Sequence, residues 1–228
     1  MSGKKQQNKK KFLEELKNKI KEEIKQKGIN SVSEILEKYR RKYLEEIKQF
    51  GIKDPEQSWK PFKGKILEEI ILNYIEQSVR KNGFGIINGS VLEKEENKLD
   101  NCLAKVKRNL VVDYGEFGMH LPDADLVIYD PSECRPIAII SSKATLRERI
   151  AQTGYWNLKL KSSDITKNIR VFFITLDEDG DLIMKNPAKK GRAIAEVDTD
   201  GTYVITEEKI QKSEKVKLID DFINDLKK

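Results

Sequence analysis

Pro122-Asp-Ala-Asp-Leu-Val-Ile-Tyr-Asp-Pro-Ser-Glu-Cys-Arg-Pro-Ile-Ala-Ile-Ile-Ser-Ser-Lys143 reads as two apolar strands joined by a turn. Ala124 to Tyr129 and Pro136 to Ser142 are short apolar runs, and Asp130-Pro131-Ser132 is the turn between them. Side chains alternate across a strand, so Asp123 and Asp125 share one face of the first, and Ser141 and Lys143 share one face of the second. Paired as the turn directs, the strands bring Asp125, at the mouth of one, beside Lys143, at the exit of the other. A carboxylate next to an ammonium at a strand end can hold a metal ion and position a water. Acids and lysines also decorate strand ends simply to solvate loops, so the spacing alone decides little. Ser141 and Ser142 add weight, because a purely structural strand prefers Val or Ile where they interrupt the apolar run.

Working outward, Thr145-Leu-Arg-Glu148 matches a capping box, and a helix is expected from there to about Lys161. Leu146, Ile150, Gly154 and Leu158 make one face of it, with Arg149, Gln152 and Trp156 opposite. Arginine and glutamine can contact phosphates or base edges, and a partly exposed helix face explains them equally well. Ile169 to Thr175 is the next strand, Asp177-Glu-Asp-Gly180 a turn, and Leu182 to Met184 a short strand. Lys189, Lys190 and Arg192 fall in a basic loop, and an amphipathic helix is expected from about Glu207 to the end. Upstream, Ile66, Leu67, Ile70, Ile71, Tyr74 and Ile75 define a helix from about Gly64 to Arg80, ended by the glycine-rich stretch Asn82 to Ser90. Leu110 to Tyr114 is expected as the first strand. Residues 1 to 60 read as two polar helices, with stripes through Phe12, Leu16, Ile20 and Ile24 and through Ile35, Leu36, Tyr43 and Ile47. The predicted organisation is a helical arm over 1–60, an α/β core over 61–185, and a basic loop with a C-terminal helix over 186–228.

The chain has 228 residues, 44 Lys and Arg against 38 Asp and Glu, a formal charge of +6 and a pI near 9.0. That excess favours polyanionic partners by releasing phosphate counterions, although lysine-rich surfaces also arise for solvation alone. His120 is the only histidine, which excludes nucleases of the His-Asn-His type and two-histidine zinc hydrolases; it reads as a residue making local loop hydrogen bonds. Cys102 and Cys134 have no metal-ligand spacing and are expected as reduced, structural thiols. No apolar run approaches a membrane span, and the chain reads as cytoplasmic.

Pro122-Asp-Ala-Asp125, the apolar strand, and Ile140-Ser-Ser-Lys143 followed at once by Leu146-Arg-Glu-Arg149 and Gln152 resemble the type II restriction endonucleases of the PD-(D/E)XK nuclease superfamily. Here serine stands at the middle acidic position. The resemblance implies a restriction-endonuclease-like core, a mixed sheet flanked by helices in the order α-β-β-β-α-β. It implies Asp125 as the central metal ligand, with Asp123 as fallback, Lys143 as the catalytic lysine, and Ser141 in the acid's place. A second carboxylate must then come from elsewhere, unless one acid, a backbone carbonyl and waters suffice. Gly64-Lys-Ile-Leu-Glu68 resembles the glycine-then-glutamate pattern that supplies one, making Glu68 first choice and Glu69 the alternative; a solvated helix flank explains either equally. The activity implied is site-specific cleavage of double-stranded DNA with Mg²⁺, leaving 5′-phosphate ends, by a homodimer. Arg147, Arg149, Gln152, Lys189, Lys190 and Arg192 are expected to face the DNA. The competing readings are a structure-specific repair or recombination nuclease and a non-catalytic DNA-binding module.

Overall fold

The computed structural model describes residues 2–227. Three helices come first: α1 (Ser2–Lys27), α2 (Val32–Glu46) and α3 (Pro55–Lys81). The α3 helix starts earlier than its apolar stripe, because Pro55 takes the first helical position and Asp54 caps it by accepting from Gln57 N at 2.9 Å. Then follow β1 (Gly85–Asn88), α4 (Asn101–Arg108), β2 (Val112–Asp113), β3 (Met119–His120), β4 (Leu126–Asp130), β5 (Arg135–Lys143), α5 (Arg147–Lys161), β6 (Arg170–Thr175), α6 (Lys190–Asp198), β7 (Gly201–Val204), β8 (Val216–Leu218) and α7 (Phe222–Leu226).

The main sheet has six strands in the order β1-β4-β5-β6-β7-β8. The β1–β4 and β4–β5 pairs are antiparallel, and β5 through β8 run parallel to one another. Helices α5 and α6 are the crossovers that parallel neighbours require. The alternation along each strand splits the sheet into two apolar faces. Leu126, Ile128, Ala138, Ile140, Phe172 and Ile174 pack with α3 and with Leu16, Ile20, Ile35 and Leu36 of α1 and α2. Val127, Ile139 and Val171 face the other way, with Val106 of α4 and Leu160 of α5. The two N-terminal helices thus pack on the core through their stripes, and Lys17 and Lys21 of α1 hold Glu69 of α3 at 2.7 and 2.6 Å.

Several local expectations change. The first core strand is β1, within the stretch read as glycine-rich, and Val112–Asp113 forms only a small hairpin with Met119–His120. Glycine is there for close approach: a Cβ on Gly85 would lie 2.3 Å from the Tyr129 ring, and one on Gly89 would lie 1.8 Å from the Ala124 carbonyl. Leu182–Met184 is loop, not strand. The helix expected from Glu207 is replaced by loop, β8 and the short α7, and β7 was not foreseen. Leu158 is 65% exposed; the buried face of α5 runs instead through Ile150, Thr153, Gly154, Asn157 and Leu160. The cysteines form a disulfide, Cα to Cα 5.0 Å, rather than remaining as thiols, because α4 packs beside the β4–β5 turn that sequence separation hides. Among the described residues, no helix is long and apolar enough to cross a membrane.

Candidate active site

Asp125 stands one residue before β4, its backbone fixed from both sides. Its N–H donates to Ile140 O at 2.9 Å, and its carbonyl accepts from Gly89 N at 2.9 Å. The close approach that requires Gly89 therefore sets the position of Asp125. From this fixed backbone the carboxylate reaches the end of β5. Lys143 Nζ donates to Oδ2 at 2.8 Å and to Oδ1 at 3.1 Å, and Ser142 N donates to Oδ2 at 2.6 Å. The pair is largely enclosed, with the Asp125 side chain 12% exposed. Asp123, the fallback, is turned elsewhere, accepting from Gln152 Nε2 at 2.8 Å.

The Asp125–Lys143 corner opens into a groove of about 740 Å³, whose walls include Lys60, Lys63 and Glu68 of α3 and Arg147 and Arg149 of α5. Glu68 faces Asp125 and Lys143 closely enough to be perturbed by both. Burial, and then the negative charge of Asp125, push its carboxyl up to about 7, against the opposing pull of Lys143. Glu69 is differently employed. Burial opposes its ionisation, but the bonds from Lys17 and Lys21 prevail and hold it below the usual carboxylate range. Two carboxylates repelling each other around one ammonium are a donor set short of positive charge, which suits a hard divalent cation that takes few protein carboxylates and keeps its waters. Among the described residues, no cluster of three or more His, Cys, Asp or Glu side chains has metal-binding geometry. Ser141 is half-buried on β5 and offers a neutral hydroxyl at most. The Ser142 hydroxyl is buried without a hydrogen-bond partner among the described residues.

The start of α5 departs from the capping box. Thr145 and Glu148 do not cap the helix; Asp179, from the loop after β6, accepts from Leu146 N at 3.2 Å and from Arg147 N at 3.4 Å. These bonds hold Arg147 at φ 37°, a left-handed backbone that arginine rarely adopts, at the groove's edge. Only tertiary contact brings Asp179 here; its run had read as a turn. Arg149 donates to Gln152 Oε1 at 3.3 Å, linking it to the Asp123 contact. Lys189 and Lys190 are exposed, Lys189 beside Asp181 at 3.3 Å. Arg192 is a correction: it is fully buried, holding Glu196 Oε1 at 2.8 Å and the Leu182 and Gln211 carbonyls, so it cannot reach DNA. His120 bonds the Phe117 carbonyl at 2.9 Å, the local role expected of it. The sequence reading missed Lys60 and Lys63, whose place on the groove wall depends on how α3 packs.

The family described as BsaWI restriction endonuclease type 2 matches residues 102–227, more than half of the chain. The chain belongs to that family. It is a type II restriction endonuclease, a site-specific deoxyribonuclease of the divalent-metal-dependent kind. Among its relatives is a Methanocaldococcus jannaschii protein named as the type II restriction enzyme MjaVIP, 36% identical over 162 residues, 69% of this chain and 70% of that one. A Helicobacter pylori protein named as the type II restriction enzyme HpyAORF263P is 37% identical over 109 residues, 48% of this chain and 55% of that one. A solved pre-specific BsaWI–DNA complex aligns with a TM-score of 0.44 at 16% identity, covering 94% of this chain and 89% of that one.

For this BsaWI-type endonuclease the raised Glu68 carboxyl makes a stability prediction. A group whose pKa rises on folding lends stability below its unfolded value of 4.5, and that contribution is lost as pH climbs through about 7. Glu68→Gln removes the ionisation. With metal chelated at pH 8, the variant should be more stable than wild type by about 1 kcal/mol after allowing for solvent screening, a rise in Tm of about 2–4 °C. The difference should shrink to about a quarter of that at pH 5 and vanish below about pH 4. Thermal melts at both pH values check this, and equal melting at pH 8 would sink it.

Proposed function

We propose that the chain cuts both strands of a specific DNA sequence with Mg²⁺, leaving 5′-phosphate and 3′-hydroxyl ends, and that Asp125, Glu68 and Lys143 do the chemistry. The observation that carries this reading is the Lys143–Asp125 contact beside a groove that Lys143 and Glu68 both line. Asp125 and Glu68 would hold the Mg²⁺, which when bound supplies a Lewis acid for the charge developing on the scissile phosphate and a water of lowered pKa. Lys143 adds a point charge beside that phosphate and hydrogen-bonds the attacking water, its ammonium held in place by both Asp125 oxygens. The Ser142 and Gly89 amides and the Ile140 carbonyl fix Asp125, so it need not reorganise during reaction. Arg147, Arg149 and Gln152 at the start of α5 then contact phosphates or base edges. Lys189 and Lys190 add sequence-independent attraction to the backbone. A palindromic site cut on both strands calls for two copies of this centre, which a two-fold homodimer provides. In the proposed division of labour, the helices of 1–60 buttress the core over 61–185, and 186–228 closes its far edge.

Digestion of a sequenced plasmid tests this. Wild type with Mg²⁺ should give a fixed banding pattern, and the fragments should be ligatable without prior phosphorylation. Random nicking, cutting confined to junctions or flaps, or no cutting with either Mg²⁺ or Mn²⁺ would refute it.

A further inference from the structure

The loop after β6 carries three consecutive acids, and each does something different. Asp177, buried, folds the loop by accepting from Asp181 N and Leu182 N, both at 2.9 Å. Asp179 caps α5. Glu178 between them anchors its own N–H on Ala144 O at 3.1 Å, one residue past Lys143, and its side chain lies in the groove. There it forms an ion pair with Lys63 of α3, which lines the same groove as Arg147 and Arg149 of α5. The Lys63 side chain is only 18% exposed, so this lysine is held against the groove rather than waving in solvent. Lys60 stands three residues earlier, on the same helix face, and lines the same groove. A duplex entering to reach Lys143 must therefore pass lysines on α3 and arginines on α5, while Glu37 and Glu56 of the same groove are already paired with Arg40.

We propose that Lys63, with Lys60, forms the second phosphate-binding wall of the DNA groove, and that Glu178 is an internal stand-in for a backbone phosphate which DNA displaces. The inference rests on DNA being what the Asp125–Lys143 groove accepts. A carboxylate and a phosphate oxygen offer a lysine the same anionic acceptor, but phosphate also releases condensed counterions when neutralised. Glu178 thus keeps the groove neutral and ordered while it is empty and weakens every non-productive encounter by competing for Lys63. Its attachment at Ala144, beside the catalytic strand, places this competition next to the chemistry.

The test is binding of a random-sequence duplex of about 24 base pairs, long enough to span several phosphate contacts, followed by fluorescence anisotropy with EDTA present so that no strand is cut. Glu178→Gln should tighten binding about 3- to 10-fold at low salt, by removing the competing charge. Lys63→Ala should weaken it by a similar factor and reduce the slope of log K against log salt by about 1. The charge swap Lys63→Glu with Glu178→Lys returns a cation to the groove and should recover most of the affinity that Lys63→Glu alone loses. Melting temperatures close to wild type would show that the surface pair does not hold the fold. If Glu178→Gln binds no tighter, or Lys63→Ala leaves both affinity and slope unchanged, the second wall is wrong. A wild-type protein that retains no duplex at all would instead overturn the DNA reading on which the wall depends.

Discussion

Asp125→Ala and Lys143→Ala should each lower DNA cleavage by about 10²- to 10³-fold, the usual cost of removing a group that stabilises transition-state charge. The two variants should differ in how they fail. Asp125→Ala leaves the Ser142 amide and the Lys143 ammonium without their shared acceptor and removes one of the two proposed metal-holding carboxylates. Lys143→Ala leaves Asp125 intact and frees its charge. DNA retention in a gel-shift assay should survive in both, and Asp125→Ala should bind the DNA polyanion at least as tightly as wild type, because a negative charge has left the groove. Single-turnover cleavage of the plasmid's mapped site measures the effect. Retained cutting by either variant would refute the assignment of that residue.

Arg192→Ala should be the most destabilising of the substitutions considered, by about 3–5 kcal/mol, because it strips the partner from buried acceptors. The guanidinium has no exposed surface and forks to three places: the Glu196 carboxylate within α6, the Leu182 carbonyl and the Gln211 carbonyl. It thereby ties two long loops, before α6 and after β7, to one helix. Arg192→Lys should rescue little, since a single ammonium cannot match a planar fork aimed at separated acceptors. Urea or thermal unfolding checks this, with a fall in Tm of about 10 °C expected for a chain of this size. A Tm within 2 °C of wild type, together with weakened DNA binding, would return Arg192 to the DNA surface.

Arg192 also shows where sequence reading runs out. Lys189, Lys190 and Arg192 look alike as a basic cluster. Only the start of α6 at Lys190 turns Arg192 inward while the lysines remain outside. The same limit explains the capping of α5. Thr145 and Glu148 have the right spacing, but the left-handed turn at Arg147 and the arrival of Asp179 make the local solution unnecessary. The resemblance ranks Glu68 ahead of Glu69, but a solvated helix flank explains either; packing of α3 sends Glu68 to the groove and Glu69 to α1. The β1 strand is concealed because Gly85 within it, needed under the Tyr129 ring, and Gly89 just after it, needed against the Ala124 carbonyl, resemble a helix stop.

By itself the sequence determined what local periodicity and short-range pairing can express. The apolar runs Leu126 to Tyr129 and Ile137 to Ser142, joined by a turn at Asp130-Pro131-Ser132, imply an antiparallel hairpin, and the observed register, shifted by an irregularity between Ile128 and Tyr129, sets Asp125 beside Lys143. The tertiary structure alone decided the partners that come from afar: Glu68 from α3, Asp179 as a helix cap, Glu178 against Lys63, and Cys102 beside Cys134. The physical reason is range. A strand's two-residue period and a hairpin's turn are written in adjacent residues, whereas a charge finds its counterpart only after packed apolar faces have fixed which helix lies over which strand.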